Sequence, residues 1–256
     1  MEKSFVKGLA VLEALARAGR PRGVTDLARE LGMTKSNAHR LLQALVATGF
    51  ARHDAEAGQY SAAPKLWELG MRVLAQVEVR DKAAAQLRQL ARRSGEWVNL
   101  AIRDGIHVLF IERLEDGETV RGGYVGVRAP AHALATGKML LAHAPAAVQQ
   151  EAARRPQAFT ARTIVDGAAL LAELRRVRAR GHASNRGEWR EMVNSIAAPI
   201  WDGGAEPVAA VGITGPHQRM TLARQRELLA LLLDSAAAIS RRMGGGALGV
   251  APVARG

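Results

Sequence analysis

Cysteine is absent from the 256 residues. Disulfides, thiolate metal sites and cysteine nucleophiles are thereby excluded, and a reducing compartment fits. No run of 18 or more apolar residues occurs, so no membrane-spanning helix and no membrane partner are expected. The opening Met1–Val6 lacks a signal-peptide core and a small-residue cleavage site, which predicts a cytoplasmic protein. Catalytic signatures are missing as well. There is no G-x-S-x-G, no H-E-x-x-H, no phosphate-binding loop, and no G-x-G-x-x-G before a helix. His107, His132, His143, His182 and His217 show no metal-ligand spacing. Asp104, Glu112 and Glu188 are carboxylates of the right type for catalysis, yet turn and surface roles suit them better. No enzyme activity, catalytic residue, metal or cofactor is therefore expected.

What is present is ordinary in bulk. A hydrophobic share of 48% and a charged share of 23% describe a globular chain, and 256 residues favour two domains. The net charge of +12 favours a polyanionic partner. Its distribution does not locate one. Residues 1–80 carry 12 Lys and Arg against 8 Asp and Glu, and the remainder 24 against 16. Nucleic-acid binding has to be argued from pattern.

The pattern is strongest near the N-terminus. Phe5, Leu9, Leu12 and Ala16 recur at helical spacing, and Gly19 stops that helix. A short helix over 25–31 follows, with Thr25 as its N-cap. Gly32 ends it, Met33 plugs the turn, and Thr34 caps a third helix over 35–48. Residues 50–53 and 59–62 flank a glycine-containing turn and read as a hairpin. Pro64 opens a fourth helix that carries Leu66, Leu69, Val73, Leu74 and Val77 and runs to about residue 79. Helix, helix, turn, helix, hairpin is the order of a winged helix-turn-helix. On the third helix Ala38, Leu41, Leu42 and Leu45 form one apolar stripe. Lys35, Ser36, Asn37, His39, Arg40 and Gln43 lie outside it, and all six can hydrogen-bond to bases or phosphates. Arg52 and His53 on the wing reach the DNA backbone or minor groove, or form an exposed turn.

Here the chain resembles a known family. The stretch Val24–Leu42, with Thr34-Lys35-Ser36-Asn37-Ala38-His39-Arg40 within it, looks like the DNA-binding motif of the IclR family of bacterial regulators. Similar motifs follow in Gly49-Phe50, Gly58-Gln59-Tyr60, Pro130–Lys138, Ile196–Ile200 and Gly212–Pro216. The resemblance implies an α+β protein. A winged helix-turn-helix over 1–63 would be joined by a linker helix (64–80) to an effector-binding domain similar to the GAF fold (81–243), with a disordered tail (244–256). It also implies double-stranded operator DNA as partner and a small-molecule effector; because one winged helix reads only a few base pairs, a homodimer or homotetramer on a pseudo-palindromic site is expected.

The second part of the chain reads independently as strands between helices. Trp97–Arg103 sets Val98, Leu100 and Ile102 against Trp97, Asn99 and Ala101 on alternate faces. Asp104-Gly105 marks a hairpin into a strand over 106–113, and a third strand is expected near 119–125. Helices are expected over 130–141, 146–154, 168–180 and 222–243, with strands near 193–199 and 208–214.

The resemblance places the effector pocket at Ala135, Thr136, Asn185, Ser195, Gly212 and Thr214. Asn185 stands where an acid is frequent, Ser195 where cysteine is, and Gly212 where serine occurs. Free amides at a helix start near Ala135 and Thr136 suit a carboxylate, so the expected effector is a small organic acid, aromatic acids included. These partners are uncharged, which predicts micromolar affinity, about −8 kcal/mol. Trp189 stands between charged residues in a chain with 4% aromatics. It either covers a ligand ring or serves as a packing anchor or interface residue.

Overall fold

The computed structural model describes residues 3–115, 117–119 and 124–245. The chain divides into two compact units, Met1–Gln76 and Val77–Gly256.

The first unit holds α1 (Lys3–Ala18), β1 (Arg22–Gly23), α2 (Val24–Glu30), α3 (Lys35–Ala47), β2 (Ala51–Asp54), β3 (Gln59–Ala62) and α4 (Lys65–Leu74). The strands form an antiparallel sheet in the order β1-β3-β2. This is a winged helix-turn-helix. Thr34 caps α3, its hydroxyl accepting from the Asn37 amide at 3.3 Å. Ala38, Leu41 and Leu42 are buried against Val11, Leu15, Leu27 and Tyr60, with Leu45 and Met33 partly buried around them. Each buried leucine contributes about 1.5–3 kcal/mol.

Two details differ from the sequence pattern. The first helix buries Val11, Ala14 and Leu15, while Phe5 and Leu9 face outward at 66% and 45% exposure. That helix is apolar on two sides, so periodicity alone selects the wrong one. In addition, α2 begins at Val24 with Gly23 at its cap, and Thr25 lies inside the helix.

The fourth helix also stops earlier than expected, at Leu74. A new helix, α5 (Glu78–Ser94), starts after Val77. Neither glycine nor proline marks the break. The carboxylates of Glu78 and Asp81 in the first turn of α5 favour a fresh helix start by offsetting its dipole.

The second unit continues from α5 with β4 (Trp97–Asp104), β5 (His107–Glu115), β6 (Glu118–Thr119), β7 (Arg128–Pro130), a 3₁₀ turn (Ala131–Ala133) and α6 (Ala135–Leu141). There follow α7 (Ala146–Arg154), α8 (Gly167–Arg180), β8 (Ala183–Arg186), β9 (Val193–Ile200), β10 (Ala209–Pro216) and α9 (Leu222–Arg242). The sheet is antiparallel, in the order β6-β5-β4-β10-β9-β8, with β7 also paired to β5. Helices α5 and α9 pack on one face and α6 on the other, with α8 against α6. Strands covered on both faces bury side chains of both parities, so Val98, Asn99, Leu100 and Ala101 are all buried. The expected third strand near 119–125 appears only as β6, and residues 120–123 lie outside the described residues. So do residues 246–256 of the expected tail. Among the described residues no helix is long and apolar enough to cross a membrane.

One irregularity in this sheet decides which side chains reach the α6 face. Leu100 opposes Glu112, yet the next residue, Ala101, opposes Phe110. Ile111 is the extra residue of a β-bulge, so the alternation of β5 changes phase there. Phe110 and Arg113 consequently turn to the same side, the side covered by α6, and Glu112 turns to the other.

Candidate functional site

In the second unit, strand register assembles one row of side chains. Asn185 opposes Ser195, Ser195 opposes Thr214, and Thr214 opposes Trp97. Directly opposed residues sit about 4.5–5.5 Å apart, so residues distant in sequence become neighbours across four strands. The 3₁₀ turn and the start of α6 cover this row. They come close because residue 137 is glycine. A Cβ there would collide with the carbonyl oxygen of Ala131.

The result is a narrow, partly open cleft. Ala135, Thr136, Asn185, Trp189, Ser195 and Thr214 all line it. Gly212 does not. It lies behind Thr136, where a Cβ would stand 3.0 Å from the threonine Cγ2, so its smallness lets α6 sit close to the sheet. Asn185 lines the cleft but spends its amide on the protein. Its Nδ2 donates to the Ala133 carbonyl at 2.5 Å and its Oδ1 accepts from the Glu188 amide at 3.0 Å.

Several lining residues lie outside the set that the resemblance implies: Trp97, Asn99, Phe110, Arg113, Tyr124 and Arg190. Beside the uncharged groups expected from the sequence, the cleft therefore presents two guanidinium groups. The Arg113 guanidinium lies 4.6 Å from the Trp97 ring centre and 4.2 Å from that of Tyr124, within cation–π range of both. Its Nη2 donates to Glu115 at 2.6 Å. Arg190 lies over Trp189 at 4.8 Å and over Tyr124 at 5.3 Å. Phe110 and Trp189 meet Tyr124 edge-on, at 5.8 and 6.3 Å between ring centres. The β5 bulge is what brings Arg113 here. Simple alternation would turn Glu112 inward, whereas Glu112 pairs with Arg80 of α5 at 3.1 Å.

The segment 187–191 that carries Trp189 and Arg190 is tied down by a buried ion pair. Lys138 Nζ on α6 donates to both oxygens of Glu188, at 2.6 and 2.8 Å. The Glu188 carbonyl accepts from the Thr163 hydroxyl at 2.6 Å. Gly187 begins the segment at φ +72°, where a Cβ would meet the Glu191 carbonyl oxygen at 2.7 Å. Asp104 is paired with Arg128 at 3.1 Å, so the three carboxylates weighed for catalysis all sit in ion pairs. The histidines lie away from the cleft lining. Burial holds the imidazoles of His107, His143 and His182 below their usual value.

In the first unit, Lys35, Ser36, His39, Arg40 and Gln43 of α3 are exposed, as is Arg52 on β2, while Asn37 is half-buried. They lie clear of the buried stripe, as the helical spacing requires. Arg40 Nη2 is 3.3 Å from Asn37 Oδ1 and 3.4 Å from Ser4 Oγ, contacts long enough to exchange for a phosphate or a base. Gln43 is more committed, its Nε2 donating to the Tyr60 hydroxyl at 3.0 Å. His53 stacks on Tyr60 at 4.4 Å, so it braces the wing.

Residues 4–55 match the IclR helix-turn-helix domain and residues 71–241 the bacterial transcriptional regulator IclR C-terminal domain. The chain belongs to the IclR family. It is a transcriptional regulator with a DNA-binding helix-turn-helix. The glycerol operon regulatory protein of Streptomyces coelicolor is 36% identical over 249 residues, covering 95% of this chain and 97% of that one. The transcriptional repressor AllR of Escherichia coli is 32% identical over 247 residues, or 94% and 90% of the two chains. Among solved structures, an IclR homologue from Microbacterium hydrocarbonoxydans in complex with 4-hydroxybenzoate superposes with TM-score 0.78 at 26% identity, over 95% of this chain and all of that one. The IclR protein of Thermotoga maritima gives TM-score 0.72 at 27% identity over the same shares.

Proposed function

We propose that this regulator recognises operator DNA sequence-specifically through α3 and the wing, and that a small aromatic carboxylic acid in the second unit changes that binding. One observation carries the ligand class. The cleft lining holds two arginines and neither aspartate nor glutamate, and it gathers four of the chain's ten aromatic residues. Cations favour an anion, and clustered rings favour a flat apolar body. The backbone amides at Ala135 and Thr136 and the hydroxyls of Ser195 and Thr214 complete the polar contacts. The Microbacterium homologue's complex with 4-hydroxybenzoate supports the same class. Calorimetry with benzoate, followed by mobility shift on operator DNA with and without it, tests the reading. Absence of binding to benzoate and its hydroxylated derivatives removes it.

Such a ligand acts by favouring one state of the regulator over another. A coupling of about 1–3 kcal/mol would change operator affinity 5–150-fold. Residues 64–80 join the DNA-binding and effector regions in sequence and are the natural route. In this reading the protein works in the cytoplasm, where its operator lies.

On the DNA side, Arg40→Ala is expected to weaken operator binding by about 1–3 kcal/mol with the fold intact. A mobility-shift titration identical to wild type would assign the contact to another face.

The working form is proposed to be a dimer or tetramer on a pseudo-palindromic operator. Helix α4 buries none of its residues, and Trp67 and Val73 are 72% and 64% exposed. An apolar face of this kind suits a second copy of the chain. Light scattering at micromolar concentration should report an oligomer, and Trp67→Asp should shift it toward monomer. A monomeric wild type contradicts the proposal.

A further inference from the structure

Two polar atoms of cleft-lining residues are buried without hydrogen-bond partners among the described residues: Asn99 Oδ1 and Arg113 Nε. Their side chains belong to residues only 5% and 7% exposed. They stand directly opposite one another, Asn99 on β4 and Arg113 on β5, and both line the cleft. A neighbouring nitrogen of each group is engaged. Asn99 Nδ2 donates to the Thr214 hydroxyl at 3.0 Å, and Arg113 Nη2 is taken by Glu115. Arg113 is held between the Trp97 and Tyr124 rings, which keeps its Nε in place. Buried polar groups are nearly always paired, since an unpaired one loses its hydration without compensation. The two atoms therefore define what a ligand must bring. Nε requires an acceptor, and Oδ1 requires a donor.

We propose that Asn99 is a specificity-determining residue, selecting, among aromatic acids, those that carry a hydrogen-bond donor such as a phenolic hydroxyl. Its Oδ1 accepts from that donor while Arg113 Nε donates to an oxygen of the ligand. A ligand without the hydroxyl occupies the cleft and leaves Oδ1 unpaired, which is how a site built to hydrogen-bond rejects the simpler analogue. This rests on the aromatic-acid reading of the same cleft and adds the donor as a second requirement.

The test is calorimetry on the full chain with benzoate and 2-, 3- and 4-hydroxybenzoate, using wild type and Asn99→Leu. At least one hydroxybenzoate is expected to bind wild type about tenfold tighter than benzoate, the size of one hydrogen bond that would otherwise be unmade. In Asn99→Leu that preference should fall below about threefold. The selectivity of wild type needs no variant and so does not depend on how Asn99→Leu folds. If benzoate matches every hydroxybenzoate, the proposal is overturned and the aromatic-acid reading stands. Preference that survives in a folded Asn99→Leu also overturns it, since another group then reads the hydroxyl. If none of the four binds, the aromatic-acid reading fails and takes this one with it.

Discussion

Lys138→Met is expected to lower unfolding stability by about 3–5 kcal/mol, because it leaves the Glu188 carboxylate buried without its cation. The pair is well enclosed, with Lys138 2% and Glu188 8% exposed, and Lys138 donates to both carboxylate oxygens. Two charges taken out of water gain little net stability from each other, so removing both together should be far milder than removing one. The double variant Lys138→Met, Glu188→Leu should accordingly regain most of the loss. Urea unfolding of the three proteins measures this. A single variant within about 1 kcal/mol of wild type would mean that water reaches Glu188 and that the pair is not a buried one. The single variant should also loosen segment 187–191, and with it Trp189 and Arg190.

The second large effect belongs to Arg113. Arg113→Leu should weaken benzoate binding by about 1.5–3 kcal/mol, the loss of a hydrogen bond to a charged group, or roughly 10–150-fold. Operator binding in the absence of ligand should stay at the wild-type level. Arg113 lies in the second unit and the proposed DNA-reading residues in the first. Calorimetry for the ligand and mobility shift for the DNA check the two halves. An unchanged benzoate affinity would move the carboxylate to the start of α6, where the amides of Ala135 and Thr136 suit an anion as the sequence alone suggests.

Much of the cleft is legible in the amino-acid sequence. Alternation along 97–103 puts Trp97 and Asn99 on one side of their strand, and that is the cleft side. Thr136, Asn185, Ser195 and Thr214, placed by the resemblance, line a single cavity; strand register brings the last three together across β8, β9 and β10, and α6 lays Thr136 over them. What the sequence hides has physical causes. Arg113 escapes a periodicity argument because a bulge breaks the period-two rule on which side-chain direction is read. Tyr124 falls in a segment that reads only as a strand, and its place between two guanidinium groups depends on tertiary contacts that no local pattern encodes. Strand β8 gives no sequence signal because Ala183–Arg186 is short and polar, and its strand character comes from pairing with β9. On α1 the pattern favours the wrong face because Phe5 and Leu9 are apolar yet turned outward. Their spacing reports a hydrophobic side without saying what covers it.

The bulge at Ile111 also bears on how relatives of this protein can change ligand. Glu112 and Arg113 are adjacent and opposite in charge, and the extra residue decides which of them looks into the cleft. Passing that extra residue out beyond the C-terminal end of β5 would return the strand to strict alternation, set Glu112 opposite Asn99 and present the glutamate. The chamber would then hold one carboxylate beside Arg190 in place of two guanidinium groups, and an anionic guest would lose its advantage. A one-residue shift of register thus sets how strongly the chamber favours acids, and it is open to a lineage without any substitution inside the pocket.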